Sequence, residues 1–260
     1  MTVRDALAEV EGRLASAGID TPRVDAEWLL AHVLGTTRSG LYADLDRDAG
    51  DEWRPLVERR EAREPLAYVL GEWGFRRLTL KTDARALVPR PETETAVERA
   101  LALLGSRPEP RVLDIGTGTG AIALAVKNER PDAHVTAVDV SKDALALARE
   151  NAERLGLDIE LRKGGIEVAG EGWDLVVSNP PYIEKIEDVQ PEVRREPELA
   201  VIGTGFHELI ARAANTRFLV LEVGDGQARD VAEALTALGY RDVRITEDLA
   251  GVERIVEGCR

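Results

Sequence analysis

Residues 174–182 read Asp-Leu-Val-Val-Ser-Asn-Pro-Pro-Tyr, and the way this run stops constrains the fold more than any other stretch of the chain. Leu175, Val176 and Val177 form a short apolar run of the kind buried on both faces of a parallel sheet. Pro180 and Pro181 cannot extend it, because each lacks an N–H and fixes φ. Asn179 precedes a proline, which drives its backbone toward extended geometry. The product is a stiff corner at the carboxyl end of a strand, where open α/β sheets bind ligands. It offers an amide side chain, carbonyls without competing N–H groups and an aromatic ring, a set able to hold a planar –NH2 group by its two hydrogens. Taken alone, the four residues are equally compatible with a plain strand-terminating turn.

A second segment shifts that balance. Residues 111–120 read Arg-Val-Leu-Asp-Ile-Gly-Thr-Gly-Thr-Gly and are followed by apolar helical sequence. Gly116, Gly118 and Gly120 let the chain turn tightly and let a ligand approach the backbone; Thr117 and Thr119 lie between them. The next apolar run ends in Asp139, where a carboxylate can accept both hydroxyls of a ribose. A glycine loop also fits a dinucleotide fingerprint in its Gly/Ala form. Asp114, just ahead of the loop, is expected to oppose a pyrophosphate and to suit a cationic ligand. A sulfonium cofactor with adenosine, a ribose and no phosphate answers that description.

Together the two motifs resemble those of class I S-adenosylmethionine-dependent methyltransferases of the amino-methylating branch. A third segment narrows the resemblance. Residues 64–94 carry Pro65-Leu66-Ala67-Tyr68, then Gly71 and Phe75, then Pro89-Arg90-Pro91-Glu92-Thr93-Glu94. In this order they resemble the linker of the release factor glutamine methyltransferases (the HemK/PrmC family), and the likeness extends over essentially the whole chain. It implies methyl transfer to N5 of the glutamine in the Gly-Gly-Gln motif of class 1 peptide chain release factors, with S-adenosylhomocysteine as product. It implies cofactor contacts from Gly116, Thr117, Gly118, Thr119, Gly120, Asp139, Ile166, Asn179 and Phe75. It implies a catalytic and substrate-binding corner made of Asn179, Pro180, Pro181 and Tyr182, and no metal. The chain departs from the family at Arg162-Lys163-Gly164-Gly165-Ile166-Glu167, where an Asp followed by an aromatic is common. Adenine is then expected to rely on backbone groups and Ile166. A second departure, Ala213-Ala214-Asn215-Thr216-Arg217, replaces a glycine-rich turn.

Amide nitrogen is a poor nucleophile, so position and electrostatics must do the work. Asn179 and the Pro180 carbonyl are expected to accept the two N–H bonds, with Tyr182 packed on the flat amide. Glu92 and Glu94 read as charges at a helix N-terminus in preference to bases.

The net charge of −14 weighs against free DNA or RNA as substrate, because phosphate-rich partners need Lys and Arg. A basic protein substrate suits it better. An amino-methyltransferase acting on adenine or guanine is the alternative, and it would flip its base into the pocket; a non-catalytic cofactor-binding protein is the third reading. No apolar run is long enough for a membrane span and no signal-peptide core opens the chain. The single Cys259 leaves a reducing cytoplasm as the natural setting. A monomer is expected.

Residues 1–73 read as a helical substrate-recognition domain, with Trp28 and Trp53 expected in its core; nine Arg against fifteen Asp and Glu give it a net charge of −6. Residues 74–92 read as a β-hairpin linker and 93–260 as the methyltransferase domain. There helix and strand alternate: helices at 93–104, 119–129, 142–155, 206–214 and 226–238, strands at 111–115, 134–139, 159–162, 174–178, 217–223, and near 242–246 and 252–257. Such alternation predicts an α/β, doubly wound sheet; the resemblance to class I methyltransferases implies a Rossmann-like seven-stranded sheet whose last two strands pair as an antiparallel edge.

Overall fold

The structure, a computed structural model, describes residues 1–260, all but Asp188 with their side chains. Its internal contacts sort the chain into two units, residues 1–72 with 190–195, and residues 73–189 with 196–260.

The first unit is helical: α1 (Val3–Ser16), α2 (Pro22–Val33), α3 (Arg38–Leu41), α4 (Arg54–Glu61) and α5 (Leu66–Leu70). The Thr2 hydroxyl caps α1 by accepting the Asp5 N–H, and Pro22 opens α2 where a missing N–H costs nothing. Val3, Leu7, Val10 and Leu14 form the buried stripe of α1. Trp53 is fully buried as expected, but Trp28 is 39% exposed, its ring under the Arg38 guanidinium. Val24 and His32, one turn to either side, are exposed as well, so Trp28 lies on the outer face of α2 and the aromatic type misled. Arg60, nearly buried, pairs with Asp25 at 2.7 Å and with Glu192 at 2.9 Å, which holds the 190–195 segment within this unit.

A short hairpin, β1 (Glu72–Phe75) and β2 (Leu78–Lys81), follows, turning at Arg76 with φ of 50°. The hairpin begins just ahead of the 74–92 stretch read as a β-hairpin linker. Then come α6 (Thr93–Leu104), β3 (Arg111–Ile115), α7 (Ala121–Glu129), β4 (His134–Asp139), α8 (Lys142–Leu155), β5 (Glu160–Lys163) and β6 (Trp173–Ser178). After them come α9 (Glu198–Val201), α10 (Phe206–Ala213), β7 (Thr216–Glu222), α11 (Ala228–Ala237), β8 (Arg241–Glu247) and β9 (Glu253–Cys259).

The seven strands stand in the order β5-β4-β3-β6-β7-β9-β8. The first five are parallel, and β9 runs antiparallel to both β7 and β8. Consecutive strand residues serve opposite faces: Val112 and Val177 pack with α6 and α7, Leu113 and Val176 with α10 and α11. Chain order reverses at β3 and β6, the topological switch point where a crevice opens beyond the carboxyl ends. No helix among the described residues is long and apolar enough to cross a membrane.

Candidate active site

Two loops leave the switch point side by side. Ile115 and Ser178 are register partners at the ends of β3 and β6, and Ser178 Oγ donates to the Ile115 carbonyl at 2.7 Å. Gly116 and Asn179 are therefore the first residues past two adjacent strands, whose paired backbones run about 5 Å apart.

The glycine loop is closed by its own backbone. Gly116 and Thr117 N–H groups donate to the Val138 carbonyl, and Gly120 N–H to the Thr117 carbonyl. Gly116, Gly118 and Gly120 all have positive φ. A Cβ at Gly120 would lie 3.0 Å from Leu124 and 3.3 Å from Ala148, so here glycine answers both conformation and space. A Cβ at Gly116 would meet nothing within 4 Å, so the outer side of the loop is open to a ligand.

Asp114 corrects an expectation. It does not face a ligand; it is fully buried beneath the loop, and Oδ2 accepts the Thr117 hydroxyl at 2.6 Å and the Ala123 N–H at 3.2 Å. Burial pushes its carboxyl up to about 7, against those two hydrogen bonds. The residue staples loop to helix, and its discrimination against pyrophosphate cannot be by contact. Asp139 ends β4 as expected. Its Oδ2 accepts the Gly118 N–H at 3.0 Å and Oδ1 the Ser141 N–H at 2.8 Å, leaving each oxygen a second lone pair.

Residues 164–167 fold back over the end of β4: Gly164 N–H donates to the Asp139 carbonyl, and Gly165 N–H to Glu167. A Cβ at Gly164 would lie 2.8 Å from Val168, which gives the Gly-Gly pair a steric reason. Ile166 opens the turn that follows and is half-buried. Phe75 is not brought to the crevice surface; it is 1% exposed, packed in the core that holds Leu80, Val97 and Leu124.

The proline corner is held from a distance. Asn179 is half-buried, and its Nδ2 donates to the Thr93 hydroxyl at 3.1 Å. Thr93, at the first turn of α6, is 4% exposed, and the Glu222 carboxyl at the end of β7 lies close to it. Glu222 is 1% exposed with Oε2 unpartnered, and burial raises its carboxyl to about 7. The Tyr182 carbonyl accepts Gln227 Nε2 at 3.1 Å, and burial raises the Tyr182 phenol to about 12. A Cβ at Gly224 would lie 2.9 Å from the Tyr182 ring, and one at Gly203 3.0 Å from Pro181. The linker segment arrives at the same place. Glu196, almost buried, accepts the Val88 N–H at 2.9 Å and an Arg90 guanidinium bond. Glu94 is not poised as a base: it accepts the Arg76 N–H at 2.9 Å, pinning the hairpin turn to α6.

Sequence reasoning missed Thr93 as a side chain in its own right, Glu222, Gln227 and Asn151. The fully buried Asn151 of α8 accepts the Lys81 N–H at 2.7 Å and donates to the Thr119 carbonyl at 2.9 Å, tying the hairpin to the glycine loop. A polar residue at a buried helix position was the only available signal. A cavity of about 750 Å3 lies at the other, amino end of the strands, lined by Arg111, Arg212, Arg217 and Arg260. It holds none of the loop groups described above, and the chemistry stays with the carboxyl ends.

Residues 5–71 match the family described as PrmC N-terminal domain, and residues 95–196 the family described as Methyltransferase small domain. The chain is 42% identical to a release factor glutamine methyltransferase of Deinococcus radiodurans, over 100% of this chain and 99% of that protein. It is 36% identical to a release factor glutamine methyltransferase of Escherichia coli, over 98% of this chain and 96% of that one. Among solved structures, a methyltransferase from Pyrococcus furiosus is similar in fold, with a TM-score of 0.53 at 19% identity, covering 81% of this chain and 98% of that one.

Proposed function

The chain belongs to the release factor glutamine methyltransferase family, and from that premise we propose that its crevice transfers a methyl group from S-adenosylmethionine to the side-chain amide nitrogen, N5, of the Gly-Gly-Gln glutamine of a class 1 peptide chain release factor. One observation carries the reading: the in-register ends of β3 and β6 set the glycine loop beside an Asn179 whose amide is already oriented by Thr93.

The residues present fit the cofactor. An open glycine cradle receives the ligand, and Asp139 has lone pairs left for ribose hydroxyls. Gly116, Thr117, Gly118, Thr119 and Gly120 would line it, with Asp139 and Ile166 at the nucleoside end. When bound, S-adenosylmethionine supplies an electrophilic methyl on a sulfonium.

The chain's own residues do the rest by holding the substrate. Asn179 Oδ1 and the Pro180 carbonyl accept the two amide N–H bonds, which turns the nitrogen lone pair toward the reacting carbon. Pro180 has no N–H to compete for this role. Tyr182 packs on the flat amide, and Pro181 keeps the corner stiff. As positive charge develops on nitrogen, the same two oxygens stabilise it, and the proton leaves to water. No base is needed.

The helical segment 1–73, with its net charge of −6, is the module that grips the basic release factor in this reading. The proposal includes a cytoplasmic location and a monomeric enzyme without a stable nucleic-acid or membrane partner. Mass spectrometry of a release factor incubated with the chain and S-adenosylmethionine tests it. One added methyl on the Gly-Gly-Gln glutamine is the expected result; an unmodified glutamine overturns the reading.

A further inference from the structure

Four arginines line the cavity of about 750 Å3 at the amino ends of the strands, and the register of the sheet explains why they meet. Trp173 pairs with Thr216 and Leu175 with Phe218, which sets Asp174 of β6 beside Arg217 of β7. Val112, the residue after Arg111, pairs with Leu175, and the Arg111 main-chain N–H reaches the Asp174 carboxylate at 2.8 Å. The Arg260 N–H donates to the Arg217 carbonyl at 3.0 Å, one residue beyond the pair Phe218 and Cys259. Arg111, Asp174, Arg217 and Arg260 therefore stand in one row across β3, β6, β7 and the end of β9, about 5 Å from strand to strand. Residues of one row serve the same face, here the one that α10 covers, and the last turn of α10 adds Arg212.

The positive charge in this row is not balanced from within. Asp174 is the only acidic side chain lining the cavity, and it is already paired with Arg107 at 2.7 Å. Glu171, within electrostatic reach of Arg111, gives both oxygens to Arg162 at 2.8 and 2.6 Å. Arg212 is paired with Glu208 at 3.0 Å. Arg260 donates to the Ala214 and Leu238 carbonyls at 2.9 and 3.0 Å, at the carboxyl ends of α10 and α11. Arg111 and Arg217 are left. Each lies over an aromatic ring, Arg111 over Trp173 at 4.7 Å and Arg217 over Phe218 at 5.1 Å. Among the described residues neither side chain donates a hydrogen bond or enters an ion pair. Stacking fixes the plane of a guanidinium and leaves its N–H edge unspent.

We propose that this cavity binds a short linear oligophosphate, with the Arg111 and Arg217 guanidinium forks on its phosphate oxygens and Arg212 and Arg260 adding positive charge. A guanidinium fork matches two oxygens of one phosphate. The two uncommitted forks spring from strands about 10 Å apart, which suits linked phosphates better than a single one. The length of the ligand follows from its surroundings. A volume of this size is that of a small-molecule site. A chain of net charge −14 repels a long polyanion once it runs past the arginine row.

The test is calorimetric titration of the chain with tripolyphosphate, in metal-free buffer and with S-adenosylhomocysteine present to fill the crevice at the carboxyl ends. One site per chain is expected. Arg111→Gln and Arg217→Gln should each weaken binding about 10-fold, the scale of a lost hydrogen bond to a charged group, and the double substitution about 100-fold. Arg229→Gln removes the same charge from an 81% exposed side chain outside the cavity and should leave the affinity as it was. S-adenosylhomocysteine affinity should be the same in every variant, which separates this cavity from the methyl-transfer crevice. Melting temperatures without ligand show which variants are folded, and either single substitution suffices should the double one unfold. Uridine triphosphate bound at least as tightly as tripolyphosphate, through the same two arginines, assigns the oligophosphate to a nucleotide; weaker binding assigns it to the free anion. An absence of tripolyphosphate binding, an equal loss in Arg229→Gln, or a short oligouridylate bound more tightly than tripolyphosphate through Arg217 overturns the inference.

Discussion

The two loops at the switch point are built in opposite ways. The glycine loop is made by its own neighbourhood: its hydrogen bonds run to Val138, Asp114 and Asp139 at the adjacent strand ends and to its own carbonyls, and its shape follows from three positive-φ glycines. The proline corner is stiff in backbone, but it is held by groups far off in sequence: Thr93 on the Asn179 amide, Gln227 on the Tyr182 carbonyl, and the space left by Gly203 and Gly224. A loop fixed locally can hold a ligand wherever the motif occurs. A corner aimed remotely acts only once α6, β7 and α11 have packed. Cofactor binding and chemistry should therefore fail separately when the two are damaged.

The sharpest way to break this contrast is Asn179→Ala. It removes the accepting oxygen and leaves the glycine loop untouched. Turnover is expected to fall about 1000-fold, the scale of losing one preorganised polar group at a reacting centre, while S-adenosylmethionine binding measured by calorimetry changes little. Equal loss of both would mean that the corner merely shapes the cofactor pocket.

Asn151→Ala probes the one remote tie the glycine loop does have. It strands the Lys81 N–H and the Thr119 carbonyl, which are otherwise paired with the amide. Leaving such buried groups unpaired should cost about 3 kcal/mol in a urea melt. Cofactor affinity should fall with it, while kcat at saturating cofactor stays near its original value. A loss confined to kcat would place Asn151 with the corner and erase the distinction.

The same division explains what could be read from the sequence. The strand run 174–178, the glycines and Asp139 announce themselves because each property is local: an apolar period, a φ only glycine tolerates, an acid at a strand end. The doubly wound sheet followed from alternation of helix and strand, while its antiparallel last pair, β8 and β9, was legible only through the family resemblance. Thr93 was legible as a helix start and Glu222 as a residue of the strand read at 217–223, but their proximity depends on β7 lying next to β6 with α6 against both. Asp114 shows the converse. Its position beside the loop suggested a ligand-facing charge, whereas the alternation of β3 turns it under α7. Trp28 shows that a large ring on a helical stripe is no guarantee of burial.

A smaller effect separates shape from space within the glycine loop. Gly120→Ala meets Leu124 at 3.0 Å with φ of 85°, whereas Gly116→Ala at φ of 73° meets nothing. Gly120→Ala should cost about 2–3 kcal/mol from strain and overpacking, and Gly116→Ala about 1 kcal/mol from conformation alone. Comparable melting temperatures for the two would mean that the Leu124 and Ala148 side chains give way freely.

The least of these effects is a dependence of stability on pH. Glu222 has an ordinary value near 4.5 when unfolded and about 7 when folded, because burial disfavours its charge. Between those values the folded chain holds a proton that the unfolded chain has released, so stability falls as pH rises from about 4.5 to about 7 and is level above it. Asp114, raised from 3.8 to about 7 by the same cause, adds a loss of the same sign. Glu222→Gln removes one contribution and keeps the other. Urea melts at pH 5 and pH 8 should show the unsubstituted chain losing about 2 kcal/mol more across the interval than Glu222→Gln does, with the Asp114 slope left in both. An identical slope in the two would mean that the folded chain carries Glu222 ionised throughout.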